Sequence, residues 1–90
     1  MRFRFDPAEQ SANIKKHGYD LTVARGVIES RRTMTFEDNR FDYGEARLVT
    51  MGLLAGVVVV IVTAETESEI RVISMRKADK HEQKIYFDYA

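Results

Sequence analysis

Side chains that suit phosphate chemistry recur at three places along the chain. Lys16 and His17 are adjacent, Glu45 and Arg47 are separated by one residue, and Arg71, Arg76 and Lys77 precede Tyr86. Arginine binds phosphate well because its planar fork donates two parallel hydrogen bonds and its charge persists at any physiological pH. Together these residue types can cleave RNA without a metal ion. A base removes the 2′-OH proton, arginine and lysine stabilise the negative phosphorane, and an acid protonates the departing 5′ oxygen. Other chemistries lack their residues. The sequence has no Gly-x-Ser-x-Gly, no His-Glu-x-x-His and no glycine-rich phosphate loop. With no cysteine and only His17 and His81, no zinc site or other metal centre is expected, and no cofactor.

Each of these residues also has a structural reading. His17 suits the negative end of a helix. His81 fits an exposed helix surface. Arg47 can pair with Glu45, and Arg71 with Glu65 or Glu67 across strands. Tyr86 lies on an apolar helix stripe and fits core packing. Arg76 and Lys77 stand just before a helix start, where positive charge opposes the helix dipole. A local rule broken in this way hints at function.

The positioning elements can be read from the same sequence. Ninety residues make one domain over 1–90, with 44% hydrophobic and 31% charged residues as in globular chains. Absent cysteines make a reducing, cytoplasmic compartment the expectation. Met1 to Asp6 has no apolar run of a secretory leader. The longest apolar stretch, Leu53 to Ala64, is twelve residues, short of the roughly 20 that span a bilayer. The 14 basic and 14 acidic side chains cancel, but unevenly. Residues 1–35 carry seven bases against four acids, 36–69 two against seven, and 70–90 five against three. Basic ends flank an acidic middle. If the ends meet, a phosphate-binding face can form at zero net charge, and its RNA binding should be weak and salt-dependent.

Arg2-Phe3-Arg4-Phe5 alternates as a strand. Asp6-Pro7-Ala8-Glu9 starts a helix that Lys16-His17-Gly18 ends. Asp20 caps a second helix, with Leu21, Ala24, Val27 and Ile28 on its buried stripe. Strands are expected over Arg32 to Phe36, Ala46 to Gly52, Val57 to Val62 and Ile70 to Met75. A loop is expected from Glu37 to Gly44 and a tight link over Leu53-Leu54-Ala55 between Gly52 and Gly56. Asp79 and Glu82 form a cap pair for a last helix, with Ile85, Tyr86 and Tyr89 on one face. This predicts an α+β fold: a twisted antiparallel β-sheet, two N-terminal helices and a C-terminal helix, the helices mainly on one face.

Three segments in series carry a family resemblance. They are Asn13-x-x-Lys16-His17-Gly18, Gly44-Glu45-x-Arg47-x-Val49-Thr50-x-Gly52, and Ile70-Arg71-Val72-Ile73-Ser74-x-Arg76-Lys77-Ala78 ahead of Glu82 and Tyr86. Over about residues 3 to 87 the chain resembles BrnT toxins of bacterial type II toxin–antitoxin modules. The resemblance implies a RelE-like fold and a metal-independent ribonuclease that inhibits translation. It implies a BrnA-like antitoxin partner with a ribbon-helix-helix domain, and operator DNA contacted only through that antitoxin. It places chemistry on His17, Glu45, Arg47, Arg76 and Tyr86, and RNA contact on Lys16, Arg71 and Lys77. Arg47 and Arg76 would hold the phosphate, His17 or Glu45 would move the proton, and Tyr86 would stack on a base or lend its hydroxyl. Ala46 and Met75 depart from the family, which often has a second acid and a small residue there. The alternative is a non-catalytic member that only binds antitoxin or acts as a corepressor.

Overall fold

The computed structural model describes residues 2–39 and 44–89, so much of the loop expected from Glu37 to Gly44 lies outside the described residues. The elements follow the expected order. They are β1 (Arg2–Phe5), α1 (Pro7–His17), a 3-10 turn (Leu21–Val23) running into α2 (Ala24–Glu29), β2 (Met34–Glu37), β3 (Ala46–Leu54), β4 (Val57–Glu65), β5 (Glu69–Lys77) and α3 (Lys80–Tyr89).

Both ends of α1 are set by the anticipated residues. The Asp6 carboxylate accepts from the Ala8 and Glu9 amides at 2.9 and 3.1 Å, and Pro7 opens the helix. Gly18 takes φ 78°, and its N–H donates to the Ile14 carbonyl. At α3 the cap pair closes reciprocally. Glu82 N–H donates to Asp79 Oδ1 at 2.8 Å, and Asp79 N–H donates to Glu82 Oε1 at 3.0 Å.

The sheet has five strands in the order β1-β5-β4-β3-β2. Strands β2 to β5 pair antiparallel, but β1 pairs parallel with β5, so the sheet is mixed rather than wholly antiparallel. The short links that favour hairpins all lie after residue 44. Between β1 and β5 run both N-terminal helices and three strands, ample chain for a parallel crossover.

Alternate residues of β4 enter two cores. Val59 and Ile61 pack with Leu21, Ala24, Val27, Val72 and Met75. Val58 and Val60 pack with Met51, Ala78 and Tyr86. Because successive side chains of a strand point to opposite faces, α2 and α3 cover opposite sides of the sheet. This corrects the expectation of helices mainly on one face. It also explains why Val57 to Val62 is apolar throughout.

The β3–β4 connection is tighter than expected. It is the two-residue turn Ala55-Gly56, with φ 49° and 81°, the left-handed pair that suits the strand twist. Gly52 is not part of it; it lies within β3 under α2. A Cβ there would stand 2.6 Å from Val27 Cγ1 and 3.1 Å from Thr33 Cγ2. The missing side chain is what lets α2 close onto the sheet. Gly52→Ala should therefore destabilise the fold by about 1–3 kcal/mol, the usual cost of overpacking a tight core. Thermal denaturation checks this, and an unchanged melting temperature would refute the close approach.

Candidate RNA-cleavage groove

α1 lies along the part of β5 that β1 does not reach. β1 ends its pairing at Val72, and Asn13 takes over at Met75. Asn13 Oδ1 accepts from the Met75 N–H at 3.0 Å, and Nδ2 donates to the Met75 carbonyl at 2.9 Å and the Tyr19 carbonyl at 3.0 Å. This contact turns the Glu9–Asn13–Lys16 face of α1 toward the strand. Between helix and strand opens a groove of about 420 Å³, lined by Glu9, Lys16, His17, Ser74 and Arg76 among others. Lys16, His17 and Arg76, some sixty positions apart in sequence, thus share one surface. Lys16 and His17 occupy the last turn of α1, where the helix dipole favours cations.

Arg76 lies within β5 opposite Val60, not beyond the strand end. Its guanidinium makes a two-point contact with Glu82, Nη1 to Oε1 at 2.7 Å and Nη2 to Oε2 at 2.8 Å. Hydrogen bonds from Arg76 hold the Glu82 carboxyl below the ordinary carboxylate range against the opposing effect of burial, and the pair keeps Arg76 charged. Glu82 therefore does two jobs: it closes the α3 cap and aims Arg76. A group with a lowered folded pKa stabilises the fold above its unfolded value and loses that contribution as pH falls through the folded one. From about pH 5 downward the melting temperature should fall, and Glu82→Gln should make that acid limb shallower. An identical limb in the variant would remove Glu82 as a cause.

A second cluster adjoins the first. Arg47, Ala64 and Arg71 are direct neighbours across β3, β4 and β5. The small Ala64 lets both long side chains converge above it on Glu45. Arg71 Nη2 lies 2.8 Å from Glu45 Oε1, and Arg47 Nη2 lies 3.6 Å from the same oxygen. Arg71 Nη1 also stands 3.7 Å from Glu9 Oε1. Glu9 thus joins this cluster to the His17 groove.

Glu9, Glu82 and Ser74 were missed as site residues in the sequence. Glu9 and Glu82 read there as helix-cap residues; the second contact of Glu9 comes from Arg71, distant in the chain, and that of Glu82 from Arg76, six positions before it. Two expected residues lie elsewhere. Lys77 is exposed and points away from Arg76, since neighbours in a strand alternate faces. Tyr86 is 2% exposed, packs with Met51, Val58 and Val60, and donates its hydroxyl to the Arg32 carbonyl at 2.7 Å. That ring has no open face to stack on a base, so the core reading replaces the catalytic one. Tyr89, expected beside it, is 65% exposed, and His81 is exposed as anticipated. No helix among the described residues is long and apolar enough to cross a membrane.

The arrangement suits a phosphodiester. Cations from three elements, a histidine and carboxylates form two clusters that Glu9 joins, so the groups for charge stabilisation and for proton transfer lie on neighbouring surface. A family model described as ribonuclease toxin, BrnT, of type II toxin–antitoxin system matches residues 5–82. No curated protein matches the chain.

Proposed function

The chain belongs to the BrnT family of ribonuclease toxins of type II toxin–antitoxin systems, and from that premise we propose a metal-independent endoribonuclease whose RNA cleavage halts translation. The observation that carries the site is the convergence of Lys16, His17 and Arg76 in one groove between α1 and β5. Arg76 binds the scissile phosphate and Lys16 a flanking one. Arg47 and Arg71 hold the neighbouring phosphate beside Glu45. His17 or a carboxylate of the groove takes the 2′-OH proton. The 2′ oxygen then attacks phosphorus, and the 5′ oxygen leaves with a proton, giving a 2′,3′-cyclic phosphate and a 5′-hydroxyl end. Metal independence is supported by the carboxylates themselves: Glu9, Glu45 and Glu82 each face an arginine.

The partner is an antitoxin of the BrnA type with a ribbon-helix-helix domain, through which the pair contacts operator DNA. Its targets place the toxin in the cytoplasm. The purified chain should cut single-stranded RNA in EDTA and leave cyclic-phosphate ends. Cleavage that requires added Mg²⁺ would overturn metal independence, and no cleavage under either condition would overturn the enzyme.

A non-catalytic toxin fold that only binds its antitoxin has one observation in its favour. Arg76 and Arg71 are already engaged by Glu82 and Glu45, so RNA must displace a carboxylate to reach them. Induced expression without antitoxin separates the readings. Growth arrest relieved by Arg76→Ala supports cleavage, and normal growth with intact antitoxin binding supports the module.

A further inference from the structure

A second groove, also of about 420 Å³, lies at the opposite end of α3 from Glu82, between the 31–33 turn and the last turns of that helix. Leu53, Phe87 and Tyr89 supply its apolar wall, and Arg31 and Arg32 its rim. Phe87 and Tyr89 are 56% and 65% exposed, the most exposed of the large hydrophobic residues described. The two arginines differ from the rest. Arg2, Arg4, Arg25, Arg47, Arg71 and Arg76 each face a carboxylate. Among the described residues, Arg31 and Arg32 face none. The rim is also well anchored, because the Arg32 carbonyl accepts the buried Tyr86 hydroxyl. Two unmatched cations beside exposed aromatics present a surface whose complement is acidic and apolar.

We propose that this groove docks an acidic segment of the antitoxin, with an aliphatic or aromatic side chain seated against Leu53 and Phe87 and carboxylates on Arg31 and Arg32. The inference rests on the antitoxin partner that family membership implies. A protein segment fits better than RNA for an electrostatic reason. Beyond β2, on the way to Arg76, the neighbouring groove is lined by Glu37, Asp38 and the Arg76–Glu82 pair, so its lining offers a phosphate chain no run of open cations between the two sites. A peptide needs no such track. It gains from burying aromatic surface and from carboxylate–guanidinium pairs, the contacts that dominate protein interfaces. None of the groove's residues belongs to the cleavage site.

The test uses the full chain and the antitoxin encoded beside its gene. Arg32→Glu leaves the backbone carbonyl in place, and Phe87→Ala removes apolar wall from an exposed position, so both should melt near the wild-type temperature. Each should weaken antitoxin binding at least about tenfold by titration calorimetry, as expected for interface anchors. RNA cleavage should stay within about twofold, so cells should remain arrested although antitoxin is present. Unchanged antitoxin affinity in both variants overturns the proposal. So does a loss of RNA binding with antitoxin binding intact, which would make the groove an RNA subsite. Binding is read directly, so an inactive wild-type chain would sink the ribonuclease reading and leave this result standing. A wild-type chain that ignores the antitoxin would overturn the docking site and the partner together.

Discussion

Arg76→Ala should lower the rate of RNA cleavage by about 10²–10³-fold, the usual cost of removing one preorganised donor to a developing oxyanion. The guanidinium is held in a fixed plane by its two bonds to Glu82 at 2.7 and 2.8 Å. It therefore does not need to be ordered as charge builds on phosphorus. The stability cost should be small, because both partners are partly exposed and pairs of that kind contribute little. Glu82 also keeps its second bond, from the Asp79 amide, so the start of α3 stays capped. Melting temperature and rate are thus expected to separate. Arg76→Lys keeps the charge but loses the fork, and should fall between wild type and alanine. Glu82→Gln probes aim rather than charge: it should reduce kcat more than it changes KM. Arg76→Ala cleaving within twofold of wild type would remove Arg76 from the site.

The local features of this fold were legible because their causes are local. Asp6, Pro7 and Gly18 determine α1 within its own termini, and Asp79 with Glu82 does the same for α3. The apolar run of β4 announced a strand covered on both sides. What the sequence did not disclose depends on contacts across the chain. Nothing in Arg2–Phe5 says that its partner is β5 or that the pairing is parallel. Gly52 reads as a turn residue until α2 is placed over it. Tyr86 allowed both a core and a catalytic reading, and its burial among Met51, Val58 and Val60 with its hydroxyl on the Arg32 carbonyl decides for the core.

The site divides in the same way. Lys16, His17, Glu45, Arg47, Arg71 and Arg76 suit phosphate by residue type, and the fold gathers them around two adjoining clusters. Glu9 carries no such mark. It becomes a site residue because β5 brings Arg71 to 3.7 Å from its carboxylate. The neutral total charge also acquires a structural meaning. Most described arginines face a nearby carboxylate, some sharing one as Arg47 and Arg71 share Glu45, which concentrates exchangeable ion pairs where an anion can replace a carboxylate. An RNA that binds by such exchange gains less than one meeting bare cations, so its affinity should stay modest and fall with salt.

Asn13→Ala should cost the fold roughly 2–4 kcal/mol, because it strands two buried backbone groups and a part-buried third at once. The side chain is 3% exposed and serves the Met75 N–H, the Met75 carbonyl and the Tyr19 carbonyl. Water cannot readily replace it there. β1 has already ended, and α1 covers the strand edge. Each unsatisfied buried group costs about 1–3 kcal/mol, partly relieved as the helix shifts. A domain of this size holds only about 5–15 kcal/mol in total, and each kcal/mol moves its melting temperature by about 4–8 °C. A drop of roughly 8–32 °C follows. Asn13→Asp sharpens the test. It keeps an acceptor for the Met75 N–H but replaces the donating Nδ2 with an oxygen that faces two carbonyls, so at neutral pH it should destabilise at least as much despite its matching shape. The same change reaches the chemistry. Asn13 fixes the distance between α1, which carries Lys16 and His17, and β5, which carries Arg76. Cleavage measured well below the variant's melting temperature should therefore fall as well, although Asn13 touches no substrate. A melting temperature within about 3 °C of wild type in both variants would show that α1 is held by other contacts, and the groove would lose the residue argued to set its width.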